Sequence, residues 1–208
     1  MTILTLVRHG TTEWIEAGRL HGISDSPLSA RGRREAAAVA QALMGQQFDA
    51  FYTSSLGRAQ ETAAIIGQAI GMQAVPLESL REINFGWMEG GPVFDFSEDP
   101  PLKRALRSNW LTVVLQLSGE PGSKFGARVA QAAREIALRH PDQRVLLVVH
   151  NGVRNFILAR LVDGDPGAYV RYDSWPACAY TEIELTPDGS ARLIRLNVSD
   201  HLSSILAS

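Results

Sequence analysis

Three short apolar runs rich in β-branched residues recur along the chain, at Ile3 to Val7, Ala50 to Thr53 and Val145 to Val149. Runs of this length that stay apolar at successive positions predict strands buried on both faces, in the interior of a sheet. Between them the spacing changes to a helical one. Ala36, Val39, Ala40 and Leu43 form one apolar stripe, and Thr62, Ile65, Ile66 and Ala69 form the next. Gly90 to Pro101, with its Gly-Gly-Pro and Asp-Pro-Pro, then interrupts the pattern. Helical spacing resumes with Leu102, Leu106, Trp110, Val113 and Leu117, and again with Phe125, Val129, Ala132 and Ile136. Val145 to Val149 leads into a helix from about Val153 to Leu161. Alternating residues from Tyr180 to Leu185, a turn at Pro187-Asp188-Gly189 and a further run from Arg192 to Leu196 predict a closing hairpin.

Strand and helix thus alternate, which predicts a three-layer α/β/α sandwich: a mostly parallel sheet with an antiparallel edge strand. Residues 1–208 are read as one domain, with a cap-like excursion at about 90–122. Ligands of such sheets sit beyond the carboxyl ends of the strands.

The length, 208 residues, suffices for one core that buries roughly 70% of the surface of the unfolded chain. An apolar fraction of 45% and a charged fraction of 20% are those of a globular protein. Twenty basic and twenty-two acidic side chains leave a formal charge of −2, so no global field draws the chain to nucleic acid or to an anionic membrane. Any bound anion must be held by local charges. The single cysteine, Cys178, has no partner for an internal disulfide, which fits a reducing cytoplasm. The first residues reach Arg8 without a basic leader or a small-residue cleavage site and are read as a strand, not a signal. No apolar run approaches the roughly 20 residues needed to span a bilayer.

Chemistry concentrates at the predicted strand ends. Leu6-Val7-Arg8-His9-Gly10 places an arginine and a histidine after the first strand, followed by a glycine that lets backbone approach a ligand. Val148-Val149-His150-Asn151-Gly152 repeats the design, and if the two strands are neighbours both imidazoles face one crevice. Thr53-Ser54-Ser55-Leu56-Gly57-Arg58 carries Arg58 into the first turn of a helix, where free N–H groups already favour anions and a guanidinium adds a planar fork. Leu80-Arg81-Glu82-Ile83 supplies a carboxylate flanked by apolar residues. Taken singly, each has a structural alternative: a hydrogen-bonded histidine, a solvated Arg58, a Glu82 paired with Arg81 or Arg58. A metal site is the competing reading of two histidines and an acid. Yet neither His9 nor His150 stands in a His-x-x-x-His or His-x-Asp spacing, and two nearby arginines would repel a cation.

These residues, together with the Ser-Leu-x-Arg-Ala-x-x-Thr-Ala segment around Arg58, Phe85-Gly86 and Glu89-Gly90, resemble the histidine phosphatase superfamily, in its phosphoglycerate-mutase-like branch. The resemblance spans nearly the whole chain, including Gly18-Arg19-Leu20-His21-Gly22 and Asp25-Ser26-Pro27-Leu28-Ser29. It implies the same α/β sandwich. It further implies His9 as the nucleophile that attacks phosphorus, and Arg8, Arg58 and His150 as the cradle of the phosphoryl oxygens. Glu82 is then the general acid, with no metal or other cofactor. His21, Gly22, Asn151 and Gly152 are the further substrate-binding candidates. Phosphoryl transfer relies on electrostatic stabilisation, and fixed cations can supply it where no metal motif exists.

The chain departs from the family at Ile15, where many members carry an asparagine, at His21, in place of glutamine or threonine, and at Asn151, in place of glycine. Mutases of the branch are usually longer, so the resemblance favours hydrolysis of a small phosphomonoester. Candidates include sugar phosphates, phosphoserine, α-ribazole phosphate and phosphoglycerates. A mutase that returns the phosphoryl group to its substrate, and a noncatalytic phosphate-binding module, are the alternatives; the second would be expected to lose His9 or Glu82. Lys103, Arg104 and Arg107 are candidates for the pocket rim or for a solvated helix face. Trp175, Pro176 and Tyr180 are candidates for a homodimer interface or for the core.

Overall fold

The computed structural model describes residues 1–93, 117, 119–172, 175–186 and 188–206. Most of the expected cap, the helix expected from Leu102, the side chains of Lys103, Arg104 and Arg107, and Pro187 of the closing turn lie outside the described residues.

The three apolar runs form strands β1 (Thr2–Arg8), β2 (Ala50–Ser54) and β4 (Arg144–Val149), separated in the chain by the short β3 (Val75–Leu77). With β5 (Tyr180–Leu185) and β6 (Ala191–Val198) they build one sheet in the order β3-β2-β4-β1-β5-β6. The first four strands are parallel, β5 runs antiparallel to β1, and β6 antiparallel to β5. Leu4, Leu6 and Val7 of β1 and Val145 to Val149 of β4 have no exposed surface, as expected for central strands covered on both faces. β3 has no counterpart in the apolar pattern: it is a three-residue edge strand with an exposed Val75 and a proline, whose missing N–H an edge tolerates.

Helices α1 (Glu13–Glu16), α2 (Ala30–Leu43), α3 (Gly57–Ile70), α4 (Gly122–Arg139) and α5 (Asn151–Ile157) cover both sides of the sheet, α2 packing on α3 and α4 on α5. Ser29 starts α2 by accepting the Gly32 amide on its hydroxyl at 3.1 Å. Its buried face includes the expected Ala36, Val39, Ala40 and Leu43. In α3 the buried face is Arg58, Ala59, Thr62, Ala63 and Ile66, turned from the expected stripe so that Ile65 and Ala69 are only half-buried. Phe125, Val129, Ala132 and Ile136 of α4 are all buried. α5 begins directly after His150, earlier than the apolar pattern places it, and continues through Leu158–Val162 in a wider turn closed by Asp163 N on Leu158 O at 3.1 Å. Trp175 and Tyr180 are buried, taking the core alternative. Among the described residues no helix is long and apolar enough to cross a membrane.

The start of α2 lies against the loop after β1. A Cβ on Gly32 would stand 1.9 Å from the Thr11 carbonyl oxygen, and one on Gly10 would stand 2.6 Å from the Gly32 oxygen. Gly32→Ala is therefore expected to destabilise the chain by about 1–3 kcal/mol through overpacking. A urea midpoint that falls with an unchanged m-value checks this; an unshifted midpoint would contradict the close packing.

Candidate active site

Because β1 and β4 pair in register, with Arg8 opposite Val149, their carboxyl ends deliver His9 and His150 side by side. The ring centroids are 5.1 Å apart at an interplanar angle of 60°, and His9 N bonds Val149 O at 3.0 Å. Both imidazoles are buried.

His9 Nδ1 lies 2.8 Å from the Gly10 carbonyl oxygen. A carbonyl only accepts, so Nδ1 carries the proton and Nε2 is left with its lone pair. Arg58 Nε donates to that Nε2 at 3.3 Å, which requires the same tautomer. Burial first, and then the charges of Arg58 and Arg8, hold the His9 pKa well below the usual imidazole value of 6.5. The ring is therefore neutral near neutral pH, with a bare nitrogen in a cationic setting. Burial and the same two arginines also lower the pKa of His150, whose Nε2 lies 2.7 Å from Ser54 Oγ.

Arg58 enters from the first turn of α3 and is only 1% exposed, not solvated. Its Nη2 donates to Gly22 O at 2.7 Å, and its Nη1 to Ser24 O at 3.0 Å and Asp25 Oδ1 at 3.1 Å. Arg8 donates from Nη1 to the Trp175 carbonyl, while its Nε has no hydrogen-bond partner among the described residues. Glu82 is buried; its Oε1 accepts from Ile83 N at 2.9 Å and its Oε2 from Gly152 N at 3.0 Å. Burial raises its pKa, outweighing those two amides and the two arginines, all of which favour the carboxylate. Gly152 is glycine for a visible reason: a Cβ there would lie 2.4 Å from Glu82 Oε1.

Arg8, His9, Arg58, Glu82, Asn151 and Gly152 line a cavity of about 810 Å³; His150, beside His9, has no exposed surface and is not part of that lining. His21 also lines it, held by Thr12 Oγ1 at 2.7 Å from its Nε2, with a pKa lowered to about 4 by burial and by Arg58. Ile15 presents an apolar side chain to the same space, and the Asn151 Oδ1 is buried without a partner among the described residues. Gly22 stands apart: it is placed to hold Arg58 through its carbonyl, and its Cα is packed against Glu89. Among the described residues no group of three or more histidine, cysteine or acidic side chains is arranged to hold a metal ion.

Several supporting residues are invisible to motif reading because they act across the fold. Asp25 Oδ1 meets both the Arg58 side chain and its backbone amide. Glu89 accepts from Ile23 and Phe85 N on Oε1 at 3.0 and 2.9 Å and from Ser24 N on Oε2 at 2.6 Å, fixing the loop whose carbonyls hold Arg58. Thr62 Oγ1 accepts from Gly10 N at 3.1 Å and donates to Arg58 O at 2.8 Å, and the buried Glu35 accepts from Thr11 N at 2.9 Å. Asp25, Thr62 and Glu89 lie within the segments that carry the resemblance, and Thr62 also within the expected helical stripe.

The probable phosphoglycerate mutase GpmB of Yersinia enterocolitica is 36% identical over 164 residues, 78% of this chain and 76% of the relative. The YhfR structure from Bacillus stearothermophilus matches with a TM-score of 0.83 and 28% identity over 97% of this chain and 100% of its own. A mycobacterial glucosyl-3-phosphoglycerate phosphatase, solved with VO3, matches with a TM-score of 0.80 and 26% identity over 95% of this chain and 99% of its own. The family model described as histidine phosphatase superfamily, branch 1, matches residues 4–199, and with the strand-end histidines, arginines and glutamate in this arrangement the chain belongs to that superfamily.

Proposed function

We propose that the chain is a metal-independent phosphomonoesterase that works through a covalent phosphohistidine on His9. The observation that carries this reading is the bond from His9 Nδ1 to Gly10 O, which leaves Nε2 unprotonated beside the buried Arg58 and within the field of the half-buried Arg8. Nε2 attacks phosphorus, and the bond from phosphorus to the alcohol oxygen breaks. Protonated Glu82 gives its proton to the leaving alcohol. Water then attacks the phosphohistidine and gives a proton to the Glu82 carboxylate, the P–N bond breaks, and inorganic phosphate leaves a neutral His9. Arg8, Arg58 and His150 bind the phosphoryl oxygens as charge builds there; the long contact from Arg58 to His9 Nε2 is exchanged for one of them. Asn151, Gly152 and His21 line the approach of the alcohol, while Gly22 keeps Arg58 in place.

The cavity supports a leaving alcohol with an apolar body: its volume is in the range of sites for drug-sized ligands, and Leu20, Phe85, Phe125 and Phe156 line it. Transfer back to the substrate, as a mutase performs, is the second reading, favoured by the Yersinia relative's name. The test is phosphate release from a panel of metabolite phosphates with EDTA present, with rapid quenching to capture acid-labile, base-stable phosphoenzyme. Release without metal and a phosphoenzyme that forms and decays at the turnover rate are expected. Isomerised phosphoglycerate that depends on bisphosphoglycerate priming, with little free phosphate, would select the mutase instead.

A further inference from the structure

We propose that Ser54 is a positioning residue that fixes the proton of His150 on Nδ1, so that His150 reaches the transferred phosphoryl group as a hydrogen-bond donor; this rests on the phosphatase reading above. Ser54 ends β2, the neighbour of β4, so the sheet itself brings its side chain to His150. It is fully buried, and its Oγ lies 2.7 Å from His150 Nε2. The same Oγ accepts the Leu56 amide at 3.3 Å. One lone pair is thus taken, and among the described residues His150 Nε2 is the acceptor available to the hydroxyl proton.

A neutral imidazole has one proton to place, and a serine that donates to Nε2 leaves it on Nδ1. Among the described residues His150 Nδ1 is buried without a hydrogen-bond partner, an arrangement that costs free energy unless a ligand completes it. The two neighbouring rings thereby take opposite parts. The Gly10 carbonyl makes His9 Nε2 an acceptor, and so a nucleophile; the Ser54 hydroxyl makes His150 Nδ1 a donor. With the opposite tautomer, His150 Nε2 would donate to Ser54 and a lone pair on Nδ1 would meet the phosphoryl oxygens, adding repulsion where the site needs attraction.

Nitrogen-15 NMR of labelled imidazoles, recorded near neutral pH on wild type, Ser54→Ala and Ser54→Thr, reads the tautomer directly. Wild type is expected to show His150 protonated at Nδ1, and Ser54→Ala a mixture of tautomers. In Ser54→Ala kcat is expected to fall about tenfold, less than the ~10²–10³ lost when a stabilising donor is deleted outright, with KM little changed. Ser54→Thr, which keeps the hydroxyl, is expected to recover much of the loss. A wild-type His150 protonated at Nε2, or a Ser54→Ala enzyme with wild-type kcat, would overturn the proposal. The wild-type spectrum needs no variant, so a Ser54→Ala chain that fails to fold leaves the test intact. Turnover that survives loss of His9 would sink the phosphatase reading while leaving the spectrum to decide the tautomer.

Discussion

Replacing His9 by alanine is expected to reduce phosphate release by about 10⁴-fold or more and to abolish the phosphoenzyme, because among the described residues no neighbouring group supplies a second nucleophile in the same place. His150 is the nearest candidate, but its Nε2 is engaged by Ser54. Phosphate binding should outlast catalysis. Arg58 is anchored by Gly22, Ser24 and Asp25 and not by His9 alone, so its charge stays buried in the His9→Ala site. Titration calorimetry with inorganic phosphate is expected to give an affinity close to that of wild type. An alanine variant that kept a tenth of the wild-type rate would exclude His9 as the nucleophile.

Glu82→Gln separates bond breaking from proton donation. For alkyl phosphates, whose alkoxide cannot leave unprotonated, kcat/KM is expected to fall about 10²–10⁴-fold. For para-nitrophenyl phosphate the same step should fall far less, since nitrophenolate leaves without a proton. The pH profile carries the sign of each role. Phosphorylation needs Glu82 protonated, so kcat/KM for alkyl esters declines as pH rises through the raised Glu82 pKa. It needs His9 neutral, so the acid limb appears only where His9 protonates, well below the ordinary imidazole range. In Glu82→Gln the alkaline limb should flatten while the acid limb stays. Equal losses for alkyl and nitrophenyl esters, with an unchanged alkaline limb, would remove Glu82 from the role of general acid.

The histidines were legible because each follows an uninterrupted apolar strand, and a central strand ends where its site begins. That same signal places β1, β2 and β4 correctly but says nothing of β3, which is too short and too exposed to have a period. Of the stripe expected in α3, Thr62 and Ile66 are buried while Ile65 and Ala69 lie at the margin, because the buried face extends toward Arg58, which a polarity pattern assigns to solvent. The structure turns Arg58 inward, and Ala59, Thr62 and Ala63 follow it into the core. Asp25, Ser54, Glu35 and Glu89 lie far in sequence from the groups they hold, and only the folded chain joins them.

His9 and His150 follow the paired ends of β1 and β4, whereas Phe125, Phe156 and Tyr169, which line the cavity, come from α4, α5 and the turn beyond them. On the phosphatase reading proposed above, the reaction and the choice of alcohol thus fall to different residues. On that reading, point changes at these aromatic residues are expected to exchange one phosphorylated metabolite for another without moving His9 relative to His150. A duplicated copy would therefore keep its chemistry while its diet drifts, so new specificities can be sampled without passing through an inactive ancestor.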